Sequence, residues 1–259
     1  MTDQDAIRIQ ELEARLDEAE RLAAVGLTMA GMAHTIKNIL EGGLYVVDSG
    51  LKKGDQERIS GGWEMVKKYI EQVSVLVKNL LNFARAEKPE LVMVDPLELV
   101  KDVVLLYESK ADLVGVDLKH EVAPGLPRLR LDKEGMHAAL TNLVSNALDA
   151  CMWDPDAGDK EMSITVTAGL DPGGRHVVLE VADTGTGISE ENQPRVLSAF
   201  FTTKGIRGTG LGLLLTKKTV QAHGGEISFT TTPGQGTTFR MTLPVTLVAD
   251  AGGQESIED

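Results

Sequence analysis

Two textures of hydrophobic patterning divide the chain. From Ile9 the apolar or small positions fall at Ile9, Leu12, Leu16, Ala19, Ala23, Gly26, Ala30 and Ala33, an unbroken alternation of three and four residues. A stripe with that spacing stays on one side of a helix and forms a coiled-coil seam. The breaker-rich segment KKGDQ at 52–56 interrupts it, and the spacing resumes at Trp63, Val66, Ile70, Val73, Val77, Leu80 and Ala84, ahead of Pro89. The pattern predicts two long helices joined by a short turn and closed by the proline, an antiparallel hairpin. Its stripe is narrow and is best buried by a second copy in a four-helix bundle, so a homodimer is expected.

Beyond Asp95 and Pro96 the pattern changes. LELVKDVVLLYESKADL predicts a helix, VDLKHEV a strand, and LDKEGMHAALTNLVSNALDAC a helix capped by Asp132. The strands MSITVTAGL and RHVVLEVAD follow, then a glycine-rich loop and the helix GLGLLLTKKTVQAH, halted by Gly224 and Gly225. A last pair, EISFTTT and GTTFRMTL, is joined by PGQG, which has the chemistry of a tight hairpin turn. Strands mixed with helices imply a two-layer α/β domain. The expected class is α+β: a helical dimerisation domain over 1–90, an α/β domain over 95–247, and a small, acidic, disordered tail over 248–259.

Composition narrows the function. The 259 residues are 42% hydrophobic, enough for one large core or two modest ones. Lys and Arg number 26 against 39 Asp and Glu, a net charge of −13 with no basic tract, which argues against a nucleic-acid or anionic-membrane surface. The single cysteine, Cys151, lies in an apolar helical pattern and reads as a buried thiol in a reducing compartment. No run approaches the roughly 20 apolar residues of a membrane span, and MTDQDAIRIQ lacks the parts of a signal peptide. A cytoplasmic protein is expected, any external signal reaching it from a separate sensor or a segment outside this chain.

The candidate chemistry lies in the second half. In NLVSNALDA the stripe of Met136, Leu140, Leu143, Ala147 and Cys151 faces a core, while Asn142, Asn146 and Asp149 share another face. An amide oxygen there suits a hard cation such as Mg²⁺, although a solvated helix face has the same composition. HVVLEVAD runs into DTGTGI, placing Asp183 where a strand gives way to a loop; its carboxylate can accept a hydrogen bond from an amine such as that of adenine, and Gly185 and Gly187 let backbone approach a flat ring. Asp and Gly are also ordinary turn residues. GTGLGL at 208–213 opens a helix whose first amides favour phosphate. Between these lies FFTTK, where Lys204 can reach a phosphate and Phe200 and Phe201 can anchor a lid.

NLVSNALDA, DTGTGI, FFTTK, GTGLGL and GQGT, in that order within about a hundred residues, strongly resemble the N, G1, F, G2 and G3 boxes of sensor histidine kinases, most closely the nitrogen-regulation type with a short lid. The resemblance covers roughly residues 25–245. It implies an ATP-binding domain of the type shared with gyrase, Hsp90 and MutL proteins, with ATP and Mg²⁺ as cofactors. By matching position it implies Asn146 as the Mg²⁺ ligand with Asn142 beside it, Asp183 as the adenine contact, and a pocket shaped by Gly185, Gly187, Gly208, Gly210, Leu211 and Gly212. Thr203, Lys204 and Thr209 fall near the phosphates.

The same resemblance gives a role to His34 in MAHTIKNIL. Ala30 and Ala33 hold the seam and His34 flanks it, an exposed place suited to a phosphoacceptor whose neutral imidazole is nucleophilic near neutral pH. The family usually has an acidic residue after this histidine and a proline five residues on; here Thr35 and Ile39 stand there. A threonine hydroxyl is no base near pH 7, so the imidazole proton must leave by another route. Asn38, one turn beyond, matches the amide that places water in members that also dephosphorylate their partner. The implied function is a dimeric, autophosphorylating protein-histidine kinase passing phosphoryl from His34 to an aspartate of a response-regulator receiver domain. Thr35 is what would favour the alternative, a nucleotide-binding scaffold or pseudokinase that never phosphorylates His34; a protein-serine kinase of the same superfamily would need no His34. His120, His137, His176 and His223 read as structural, His223 as a cation suited to a helix end, and no zinc site is expected.

Overall fold

The computed structural model describes residues 8, 42, 44–84, 90–155, 158, 160–198, 201–204 and 210–245, and of 68–69, 71–72, 75–76 and 78–84 the backbone alone. The seam from Ile9 to Ala33, His34, Thr35, Asn38, Phe200, Gly208, Thr209 and the tail lie outside the described residues. The chain divides into two compact units, residues 1–88 with 195–215, and 89–194 with 216–259.

In the first unit a helix α1 (44–53) turns into α2 (Gln56–Ala84). The expected breaker works through Gly54, which takes a left-handed φ of 64°, and through Asp55, whose carboxylate accepts the Arg58 amide at 3.0 Å and starts α2. Gly62 lets α2 press against α1, since a Cβ there would lie 2.9 Å from Val47 Cγ2 and 3.0 Å from Val46 Cγ1. The predicted stripe splits in the single chain. Val66 is buried, whereas Trp63, Ile70 and Val77, seven residues apart, stay 51%, 57% and 39% exposed.

The second unit is the expected two-layer sandwich. It contains β1 (Leu91–Val94), α3 (Pro96–Leu113), β2 (Asp117–Val122), β3 (Leu129–Asp132), α4 (Lys133–Met152), β4 (Ser163–Leu170), β5 (His176–Asp183), most of α5 (Gly212–Ala222), β6 (Glu226–Thr232) and β7 (Gly236–Pro244). The main sheet runs β2-β4-β5-β7-β6, with β2 and β4 parallel and the other pairs antiparallel; β1 and β3 form a separate antiparallel ribbon that the hydrophobic pattern did not announce. Alternation along β4, β5 and β7 sends Ile164, Val166, Val177, Leu179, Val181, Met241 and Leu243 into a core with Leu99, Val100 and Val103 of α3 and Met136, Leu140, Leu143 and Leu148 of α4. The opposite sheet face is polar, crossed by a Glu180–Arg240 ion pair of 2.6 Å. Asp132 caps α4 as expected, accepting the Gly135 amide at 3.0 Å.

Candidate functional site

Three strand and helix ends meet at the last residue of β5. Its register puts Asp183 opposite Thr237 of β7, and its own chain continues into Thr184–Ile188. Asp183 Oδ1 accepts two backbone amides, Gly185 at 2.9 Å and Thr237 at 3.3 Å. Among the described residues no hydrogen bond is recorded to Oδ2. Burial pushes this carboxyl up to about 6, against the Gly185 and Thr237 amides and the positive charge of Lys160, which pull it down. One oxygen is therefore fixed in place and the other is left to accept a proton donor from a ligand.

The glycines around Asp183 are there for closeness. A Cβ on Gly185 would sit 2.5 Å from the Ala150 carbonyl carbon, so the loop lies directly on the end of α4. Gly187 has φ 66° and a Cβ there would overlap the Thr232 carbonyl; one on Gly236, at φ 117°, would overlap the carbonyl of Asp183 itself. Backbone bonds seal the arrangement, Thr186 donating to Ala150 O at 3.2 Å and Gly234 to Thr186 O at 2.7 Å. The Thr231 hydroxyl accepts the Ile188 amide at 2.9 Å. These threonines were not singled out by the sequence.

On α4 the polar face is divided among several tasks. Asn142 donates its amide to Thr216 Oγ1 at 3.0 Å, joining α4 to α5, while its carbonyl oxygen is the group that can face a ligand. Asn146 lies half-buried one turn further on. Ser145 bonds the Tyr107 hydroxyl on α3, and burial with the nearby Asp149 charge raises the Tyr107 phenol above its usual range. Asp149 thus faces α3. Cys151 is buried beneath the Asp183 loop, and burial pushes its thiol up to about 11. Among the described residues no three His, Cys, Asp or Glu side chains are placed to hold a metal ion.

Asn142, Asn146, Asp183, Gly185 and Gly187 thus fall on neighbouring elements of one unit. Thr203, Lys204, Gly210, Leu211 and Gly212 belong to the segment grouped with the other unit. There Thr202 Oγ1 accepts the Lys204 amide at 3.1 Å, the Arg195 guanidinium stacks 4.8 Å from the Phe201 ring centre, Gly210 has φ 62°, and Gly212 is the first residue of α5.

His223 corrects its expected role. Its ring is within 2.6 Å of Thr219 O through Nδ1, and Nε2 accepts the Asp132 amide at 2.8 Å, so it serves as a neutral link between α5 and the start of α4 rather than as a terminal cation.

The two-layer sandwich thus sets an asparagine-bearing helix beside a half-buried aspartate and a glycine loop. Residues 131–247 match the histidine kinase-, DNA gyrase B-, and HSP90-like ATPase family. The chain is related to sensor histidine kinases. It is 29% identical over 93% of its length to sporulation kinase E of Bacillus subtilis, and 30% identical over 91% to the signal transduction histidine-protein kinase AtoS of Escherichia coli. It spans 31% and 37% of those two proteins. The solved catalytic domain of histidine kinase ThkA covers 60% of this chain and is itself covered to 95%, with a TM-score of 0.51 and 29% identity.

Proposed function

We propose that this chain is the kinase core of a two-component system: it binds ATP with Mg²⁺, moves the γ-phosphoryl group to His34, and delivers it to an aspartate of a response-regulator receiver domain. The observation that carries the reading is the Asp183 carboxylate, with Oδ1 held by two backbone amides and Oδ2 left to accept the exocyclic amine of adenine. Gly185 and Gly187 let the loop close on the end of α4 and on Thr232, which fixes the backbone beside this carboxylate. Asn146 would hold Mg²⁺ through its amide oxygen. Mg²⁺ keeps several waters and takes phosphate oxygens, so one protein oxygen is a sufficient share. Bound there, the ion supplies charge neutralisation between phosphates.

Thr203, Lys204, Thr209 and the amides of Gly208, Gly210, Leu211 and Gly212 are assigned to the phosphates, following the order of the boxes. In the transfer an imidazole nitrogen of His34 forms a bond to the γ-phosphorus as the bond to the ADP oxygen breaks, and the ring proton passes to solvent or to a base other than Thr35. Asn38 is assigned the placing of water for dephosphorylation of the partner. The exposed heptad row of Trp63, Ile70 and Val77 supports a homodimer built on the hairpin. No helix among the described residues is long and apolar enough to cross a membrane.

Asn146→Ala tests the nucleotide half of the proposal. It should abolish Mg²⁺-dependent ATP turnover while the protein stays folded by far-ultraviolet circular dichroism. Undiminished turnover would overturn the assignment.

A further inference from the structure

Lys160 stands in the loop between α4 and β4, and nothing in the sequence marks it. Its Nζ lies 2.7 Å from Oδ2 of Asp154, whose side chain is only 1% exposed, and donates to the Gly234 carbonyl at 3.0 Å. Asp154 follows the end of α4; Gly234 is in the turn between β6 and β7. One ammonium group thus joins the exit of the asparagine helix to the hairpin turn. That turn is itself bonded to the Asp183 loop, through Gly234 N to Thr186 O, and its far side supplies the Thr237 amide to Asp183 Oδ1.

We propose that Lys160 is a positioning residue of the nucleotide site, fixing the β6–β7 turn to the end of α4 and keeping a positive charge at the edge of the Asp183 loop. The role rests on the nucleotide reading given above. Among the described residues Lys160 and Cys151 interact electrostatically with Asp183, and Asp154 acts on both of them. Lys160 favours the carboxylate by its charge; Cys151 beneath the loop is a neutral thiol near pH 7; Asp154 is compensated by Lys160. Among the described residues of β7 and of the loop itself, the Thr237 and Gly185 amides reach the carboxylate. The Gly185 and Thr237 amides oppose the effect of burial first, and the charge of Lys160 adds to them. An opposite charge lowers a carboxyl pKa, so its removal must move Asp183 towards protonation at higher pH.

The test is ADP affinity with Mg²⁺, by calorimetry on the whole chain, between about pH 5 and pH 9, where an Asp183-linked midpoint would appear. Wild type should lose affinity as the pH falls through about 6. Lys160→Met should bind roughly three- to tenfold more weakly near pH 7, and the gap should close to under about twofold near pH 9, where the carboxylate ionises without help. Lys160→Arg should restore the wild-type profile. Because Lys160→Met strands a buried carboxylate and can fail to fold, the double variant Lys160→Met with Asp154→Asn provides the same readout without that charge. An unshifted profile in whichever of these two variants folds, or a loss equal at every pH, would overturn the role. Absence of ADP binding by wild type at any pH would instead overturn the nucleotide reading beneath it.

Discussion

Asp183 is held by opposing demands. Its burial favours the protonated form, with the carboxyl raised from 3.8 to about 6, while acceptance of an amine needs the charged form. The raised value means that this group's contribution to stability is fully present below pH 3.8 and is lost as pH rises through about 6. Near pH 7.5 the ionised group costs about 3 kcal/mol relative to an ordinary aspartate. Asp183→Asn keeps an oxygen for the Gly185 and Thr237 amides and removes the charge. It should stabilise the ligand-free protein by roughly 1–3 kcal/mol at pH 7.5 in urea unfolding, with the gain gone near pH 4. The same variant turns an amide donor towards the adenine amine, so ADP affinity should fall at least about tenfold, a cost of 1.4 kcal/mol or more. A variant neither stabilised nor weakened in binding would contradict this account of the carboxylate. Asp183 was legible from its place at a strand end before DTGTGI. The tasks of Asn142, Ser145 and Asp149 were not, because spacing along a helix shows which residues share a face and not which neighbours that face meets. Asn142 meets Thr216, 74 residues away, and Asp149 meets Tyr107.

Among the described elements of the second unit, those with several periods were read correctly and two four-residue strands were missed. α3, α4, β4, β5 and the final hairpin each carry enough periods to announce themselves, and Asp132 and Gly224 mark true ends, the latter with φ 70°. β1 and β3 have four residues each. LVMV has no alternation, and LRLD runs straight into a helix cap, so neither separates from its surroundings by pattern alone. The loop after β5 is specified by its glycines more than by side-chain bonds. At Gly187 a methyl group would overlap the Thr232 carbonyl on a backbone already at φ 66°. Gly187→Ala should therefore push the loop off the β6–β7 turn and cost roughly 2–3 kcal/mol of stability, measured by thermal or urea unfolding, with weakened ADP binding. Unchanged stability would show that the turn gives way without strain. Gly115→Ala, at a φ of 70° but with no atom within 4 Å of the added methyl, is the control for conformational strain alone.

At the scale of the whole molecule the central question is whether two copies, one nucleotide and one histidine work together. α2 leaves Trp63, Ile70 and Val77 exposed on a seven-residue repeat, an arrangement that a second helix of the same kind covers and water does not favour. Ile70→Glu combined with Val77→Glu should convert a dimer to a monomer in sedimentation, with ADP affinity within about twofold of wild type because the α/β unit is untouched. A dimer that survives both charges would place the interface elsewhere. The chemistry at His34 has its own decisive measurement. Wild type and His34→Gln are incubated with ATP labelled in the γ-phosphoryl group and Mg²⁺, and the protein-bound label is challenged with acid and with alkali. The account predicts acid-labile, alkali-stable label on wild type and none on His34→Gln; label that persists in His34→Gln, or nucleotide binding with no label on wild type, would contradict it.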